Sequence, residues 1–139
     1  MDAPRFTVSI PAESRYLKAI RSFFETALGA AIDEETDMIV LALDEACSNV
    51  LKHGSRCAGE LIRVAADVLP GLLRVRVDDF CAEDDVLRIK PRDLTDVRPG
   101  GLGTHFVSSI MDRVEFVREP GRPGRMALVL EKSLGGART

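Results

Sequence analysis

Leu41-Ala42-Leu43-Asp44-Glu45-Ala46-Cys47-Ser48-Asn49-Val50-Leu51-Lys52-His53 is the stretch around which the rest of the chain is organised. Apolar residues at Ile39, Leu43, Ala46 and Val50 recur at three- and four-residue spacing, which predicts an amphipathic helix. Helical spacing puts Glu45 and Asn49 one turn apart, with Cβ atoms roughly 5–6 Å from each other. A carboxylate and a carboxamide then share the edge of the buried face. One is fitted to accept a proton and the other to offer an oxygen to a hard divalent cation. Such a pair is solvated surface on most helices, because charged side chains are mostly exposed. Its meaning depends on what else in the chain converges on it.

At 139 residues the chain reads as one domain, residues 1–139, long enough to bury roughly two-thirds of its unfolded surface. With 45% hydrophobic and 29% charged residues, and a mean hydropathy of +0.02, the composition is that of an ordinary globular protein. A net charge of −3 and a pI of about 5.4 provide no basic field, so neither nucleic acid nor a membrane is expected as a partner. Arg74, Arg76, Arg88, Arg92, Arg98 and Arg122 are interrupted by acidic residues and read as exposed charge. No apolar run approaches the ~18 residues that span a bilayer, and a basic-then-apolar leader is lacking. Three cysteines, Cys47, Cys57 and Cys81, are odd in number and lack CxxC spacing. That argues against a metal cluster or disulfide framework and for a cytoplasmic setting.

From the N-terminus, Arg5 to Ile10 alternates as a half-buried strand stopped by Pro11. Tyr16, Leu17, Ile20, Phe23, Phe24, Ala27 and Leu28 mark one face of a helix expected to end near Gly29. Asp33 is suited to cap the next helix, with Glu34 and Glu35 in its first turn. That helix carries Glu45 and Asn49 and stops around Gly54. Glu60 to Leu69 alternates again, Pro70-Gly71 turns the chain, and a second strand follows from Leu72 to Asp79. Leu73, Val75 and Val77 share a face, and the same parity carries Asp79 onto it. A carboxylate aimed at the core is costly unless hydrogen-bond donors meet it. The alternative is a strand that ends at Asp78, with Asp79 opening a turn.

Phe80 to Arg98 is charged and aperiodic, and so long an irregular stretch in a compact domain is usually functional or mobile. It leads into Pro99-Gly100-Gly101-Leu102-Gly103-Thr104, glycines that open a helix with Leu102, Phe106, Ile110 and Met111 inward. Exposed amides at such a helix start favour phosphate. Val114–Val117 and Met126–Leu130 read as two final strands, and residues 133–139 as a loose tail. The order β-α-α-β-β-loop-α-β-β predicts an α+β fold, a two-layer sandwich of a largely antiparallel mixed sheet with helices on one face.

Glu45-Ala46-Cys47-Ser48-Asn49, then Asp79 near a strand end, then Gly100-Gly101-Leu102-Gly103 at a helix start occur in one order. That order resembles the Bergerat-type ATP-binding fold shared by gyrase-type, chaperone-type and histidine-kinase ATPases, the GHKL group. The resemblance is closest to its small single-domain branch, the bacterial anti-sigma regulatory serine-protein kinases, and covers the chain to about Lys132. It implies ATP and Mg²⁺ as cofactors, with Asn49 helping to bind the metal against the phosphates and Glu45 as catalytic base. Asp79 would accept from the adenine amino group, Cys81 would lie by the base, and Gly100, Gly101, Leu102, Gly103 and Thr104 would border the triphosphate. Phe80–Arg98 would be the lid. Implied partners are a sigma factor, a STAS-type anti-sigma-factor antagonist phosphorylated on serine, and a second copy in a homodimer.

One position departs from the pattern. The family usually has glycine two residues after the adenine-binding aspartate, where this chain has Cys81, then Ala82 and Glu83. Glycine allows close backbone approach and special dihedrals. The substitution keeps open a binding module that retains the fold without phosphoryl transfer. Cys81 reads as a small apolar filler and His53 as a supporting residue; Lys52 and His105 read as ordinary surface residues, the alternative being contact with phosphate.

Overall fold

The computed structural model describes residues 4–32, 35–54, 61–81, 102–118 and 125–135, with side chains described at all of these except 52–54, 79–81, 102–105 and 125. Strand β1 (Arg5–Pro11) is followed by a 3₁₀ turn (Ser14–Tyr16), helices α1 (Leu17–Ala31) and α2 (Thr36–Gly54), and strands β2 (Leu61–Leu69) and β3 (Leu72–Cys81). Helix α3 (Leu102–Ile110) and strands β4 (Arg113–Arg118) and β5 (Arg125–Ser133) complete the α+β fold. The strands form one five-stranded sheet in the order β1-β2-β3-β5-β4. Every described pairing is antiparallel.

Alternation decides which face of the sheet is closed. Ile62, Val64 and Ala66 on β2, Leu73, Val75 and Val77 on β3, and Leu128 and Leu130 on β5 are all buried in one cluster with the helices. Helix α2 supplies Ile39, Leu43, Ala46 and Val50 as its spacing predicts. Val40, Ala42, Cys47 and Leu51 are buried too, a stripe wide enough for a helix flanked by α1 and α3 as well as by the sheet. Phe24 and Leu28 fill the α1 side, with Phe23 edge-on to Phe24 at a centroid separation of 4.9 Å.

Several boundaries differ from the sequence expectation. Pro11 ends β1 in register with Leu61 rather than standing outside it, which an edge strand permits. Helix α1 passes Gly29 to Ala31, a single glycine being tolerated within a helix at a cost of about 1 kcal/mol. Glu35, expected in the first turn of α2, precedes it; its carbonyl accepts from the Ile39 N–H at 3.0 Å, while Asp33 and Glu34 lie outside the described residues. Gly71 makes the β2–β3 turn at φ +71, which suits glycine. Among the described side chains of α3 Val107 is buried, as is Met111 just beyond the helix, with Phe106 and Ile110 at the margin. Ser133 closes β5, its N–H donating to the Asp112 carboxylate at 2.6 Å, and the Leu134 N–H donates to the Gly71 carbonyl at 3.0 Å. Residues 82–101, which hold nearly all of the expected lid, and 136–139 of the tail lie outside the described residues. Among the described residues no helix is long and apolar enough to cross a membrane.

Candidate functional site

Helix α2 packs against β3 and runs beside α3. The three elements that carry the motif residues are therefore neighbours, although about fifty residues separate the first motif from the last in the chain. Glu45 and Asn49 sit half-buried on α2, one turn and about 6 Å of helix rise apart. Ala46, Cys47 and Val50 beside them are buried and fix the helix face. Asp44, next to Glu45, lies 3.8 Å from Arg21 of α1, a loose ion pair between the two helices.

Asp79 and Cys81 belong to β3, which continues past Asp78 instead of ending there. Val77 pairs with Leu128 and Phe80 with Met126, so β3 takes three steps where β5 takes two. The extra residue falls at Asp78–Asp79, and the parity that links Asp79 to Val77 does not run unbroken through it. Bulges of this kind re-aim side chains and are common beside active sites. Cys81 pairs with Arg125 in the ladder, so its backbone is extended, a conformation open to any residue. Leu102, Gly103 and Thr104 are the first residues of α3, as their glycine-rich context predicts. Gly100 and Gly101 lie outside the described residues, as do the side chains of Asp79, Cys81, Lys52, His53, Leu102, Thr104 and His105.

The buried carboxylate that the sequence did not single out is Asp78, 7% exposed. It accepts from Arg63 Nη2 at 2.8 Å and Nε at 3.2 Å, and from Arg76 Nε. The signal was present as Arg76 at i−2 on the same strand face, but Arg63 enters only through the β2–β3 register. Cys47 in the heart of α2 is fully buried, and its thiol is pushed up to about 12 by burial and then by the Asp44 charge. It is a packing residue with no thiolate at neutral pH.

Among the described residues no group of three or more His, Cys, Asp or Glu is placed to hold a metal. Asn49, with Glu45 one turn away, is instead the kind of sparse oxygen set that meets Mg²⁺ when phosphates supply other ligands. The donor chemistry fits a metal arriving with a nucleotide.

The histidine kinase-like ATPase domain matches residues 10–132 of the chain. The chain is also similar to serine-protein kinase RsbW of Staphylococcus aureus, 28% identical over 136 residues that cover 88% of this chain and 85% of the relative. The protein of the same name from the S. aureus strain bovine RF122 / ET3-1 is 27% identical over the same shares.

Proposed function

Because the chain belongs to the histidine kinase-like ATPase domain family, we propose that it is a cytoplasmic ATP-dependent protein-serine kinase and anti-sigma regulator. In this reading it transfers the γ-phosphate of ATP to a serine of a STAS-type antagonist and, as a homodimer, sequesters a sigma factor when the antagonist is phosphorylated. The observation that supports it most is the packing of α2 against both β3 and α3, the three elements that carry Glu45 and Asn49, Asp79, and Leu102 to Thr104. The name carried by the relatives, serine-protein kinase, points the same way.

The roles follow from donor chemistry. Asp79 accepts from the adenine amino group, and the bulge in β3 supplies the local change of direction that a plain strand lacks. The first amides of α3, together with Gly100 and Gly101, line the triphosphate, where unpaired N–H groups and the helix dipole favour anions. Asn49 offers its carboxamide oxygen to Mg²⁺, which when bound neutralises charge on the phosphates. Glu45, half-buried and so within reach of solvent, takes the proton of the incoming serine hydroxyl.

A second reading, a nucleotide-holding binding module without transfer, is favoured by Cys81 in the usual glycine position. The extended ladder at Cys81 weakens the dihedral argument for it and leaves only the volume of the side chain. Glu45→Gln separates the two. As a kinase, the variant holds nucleotide nearly as wild type does and transfers about 10²–10⁴-fold more slowly, measured with labelled ATP and a genomically adjacent antagonist. Wild type that binds ATP yet transfers no faster than Glu45→Gln is a binding module.

A further inference from the structure

At the end of the sheet away from Asp79 and Cys81, a cleft of about 300 Å³ lies between the start of α2 and the β2–β3 turn. Nine steps of β3, about 30 Å, separate Leu72 at that turn from Cys81. The cleft is thus distinct from the Asp79–Cys81 end of β3. Ile32, Ile39, Val68 and Leu134 give it apolar walls, and Lys132 and Glu35 are its charged groups. Its volume is at the lower bound of small-ligand pockets, roughly 300–1,000 Å³.

Lys132 is the unusual member. It has the parity of Leu128 and Leu130, both buried, and pairs with Leu73, which is 0% exposed. An ammonium is therefore carried on the helix-facing side of β5. Its side chain is only 17% exposed, and among the described residues its ion partner is Glu35 at 3.6 Å, longer than a hydrogen bond. The Glu35 carboxylate is 55% exposed and free to turn to water. Glu35 also has φ +58, the one positive φ at a non-glycine residue among the described residues.

We propose that this cleft binds a small monocarboxylic acid with an apolar body, its carboxylate on the Lys132 ammonium and its body against Ile39, Val68 and Leu134. A neutral apolar ligand gives the ammonium no acceptor beyond Glu35, which stands outside hydrogen-bond distance at 3.6 Å. Any anion here meets the Glu35 charge, a dianion twice as strongly as a monocarboxylate, and a phosphate gains nothing from the apolar walls in return. A singly charged amphiphile satisfies both halves of the lining. The inference does not depend on the kinase reading, since none of its residues belongs to the nucleotide site.

The test is an NMR titration of the ¹⁵N-labelled full chain with octanoate, with octanol as the uncharged probe of equal length. Saturable shifts are expected for octanoate at the amides of Ile39, Val68, Gly71 and Leu134, with octanol at least about tenfold weaker. Lys132→Met weakens octanoate about tenfold or more while leaving octanol unchanged, and Lys132→Arg keeps octanoate binding. Ala31→Phe, which fills the cleft from α1 without touching its charge, abolishes binding of both probes. Any of three results overturns the proposal: no saturable shift at those amides, equal affinity for acid and alcohol, or octanoate affinity unchanged in Lys132→Met.

Discussion

On the side that meets the helices, the sheet presents Ile62, Val64, Leu73, Val75, Val77 and Leu130, none more than 1% exposed. On the other side, across the same strands, a single row runs Arg5, Asp67, Arg74, Glu131, Arg113, each opposite the next in register. Arg5 Nε donates to Asp67 at 2.6 Å, Arg74 Nε to Glu131 at 2.9 Å, and Arg113 Nη1 lies 3.3 Å from the same Glu131 oxygen. The closed face removes apolar area from water and carries most of the stability. The open face alternates charges whose pairing in water is worth little. What the row does provide is register, since a slip of one residue would turn its charges toward the core.

The largest effect should come from the closed face. Phe24 is 0% exposed and is packed between α1 and the rest of the core. Phe24→Ala is expected to cost about 3–5 kcal/mol in denaturant unfolding, transfer term plus cavity. A loss below about 1 kcal/mol would mean that the core at α1 is not packed as described.

An intermediate effect is expected at Asp78, where the open face is locally closed. Its carboxylate is buried, but Arg63 and Arg76 keep side chains 56% and 38% exposed. Removing the acid leaves arginines that can return to water, so Asp78→Ala should fall short of the 3–5 kcal/mol of a stranded buried charge. About 1–3 kcal/mol is expected, the cost of losing charged hydrogen bonds. Urea unfolding of Asp78→Ala beside Phe24→Ala ranks the two directly. A loss equal to that of Phe24→Ala would place Asp78 in the same class as the core.

The two faces also differ in what the sequence discloses. Period-three-to-four and period-two spacing disclose the centre of the closed face, including Ile39, Leu43, Ala46 and Val50 of α2, but not its margins at Val40, Ala42, Leu51 and Val107. The charge row is invisible in the sequence because Arg5 and Asp67, or Arg74 and Glu131, meet only through strand register. The same limit applies to the candidate site. Glu45 and Asn49 are legible as an i,i+4 pair, and the order of motifs points to an ATP-binding fold. The bulge at Asp78–Asp79 is not legible, since a two-residue period contains no sign of an inserted residue. Nor is Glu35 at φ +58, where a glutamate fills a conformation that glycine or asparagine usually signals.

The smallest effect tests whether the charge row stabilises at all. The Arg74 hydrogen bond, then that of Arg113, holds the Glu131 carboxyl below the usual carboxylate range, and the Arg5 hydrogen bond does the same for Asp67. A carboxylate with a depressed folded pKa contributes stability that is fully present above its unfolded value, about 4. That contribution is lost as pH falls through the lower folded value. Glu131→Gln removes it at neutral pH while keeping the side-chain shape. Exposure and screening limit the expected loss to below about 1 kcal/mol. The gap between wild type and Glu131→Gln, followed by thermal or urea unfolding, should therefore be small at pH ~7, close progressively below pH ~4, and shrink in ~1 M salt. A gap that stays constant from neutral to acid pH would show that Glu131 acts through packing against its neighbours rather than through charge. The open face would then be stabilised on the same terms as the closed one.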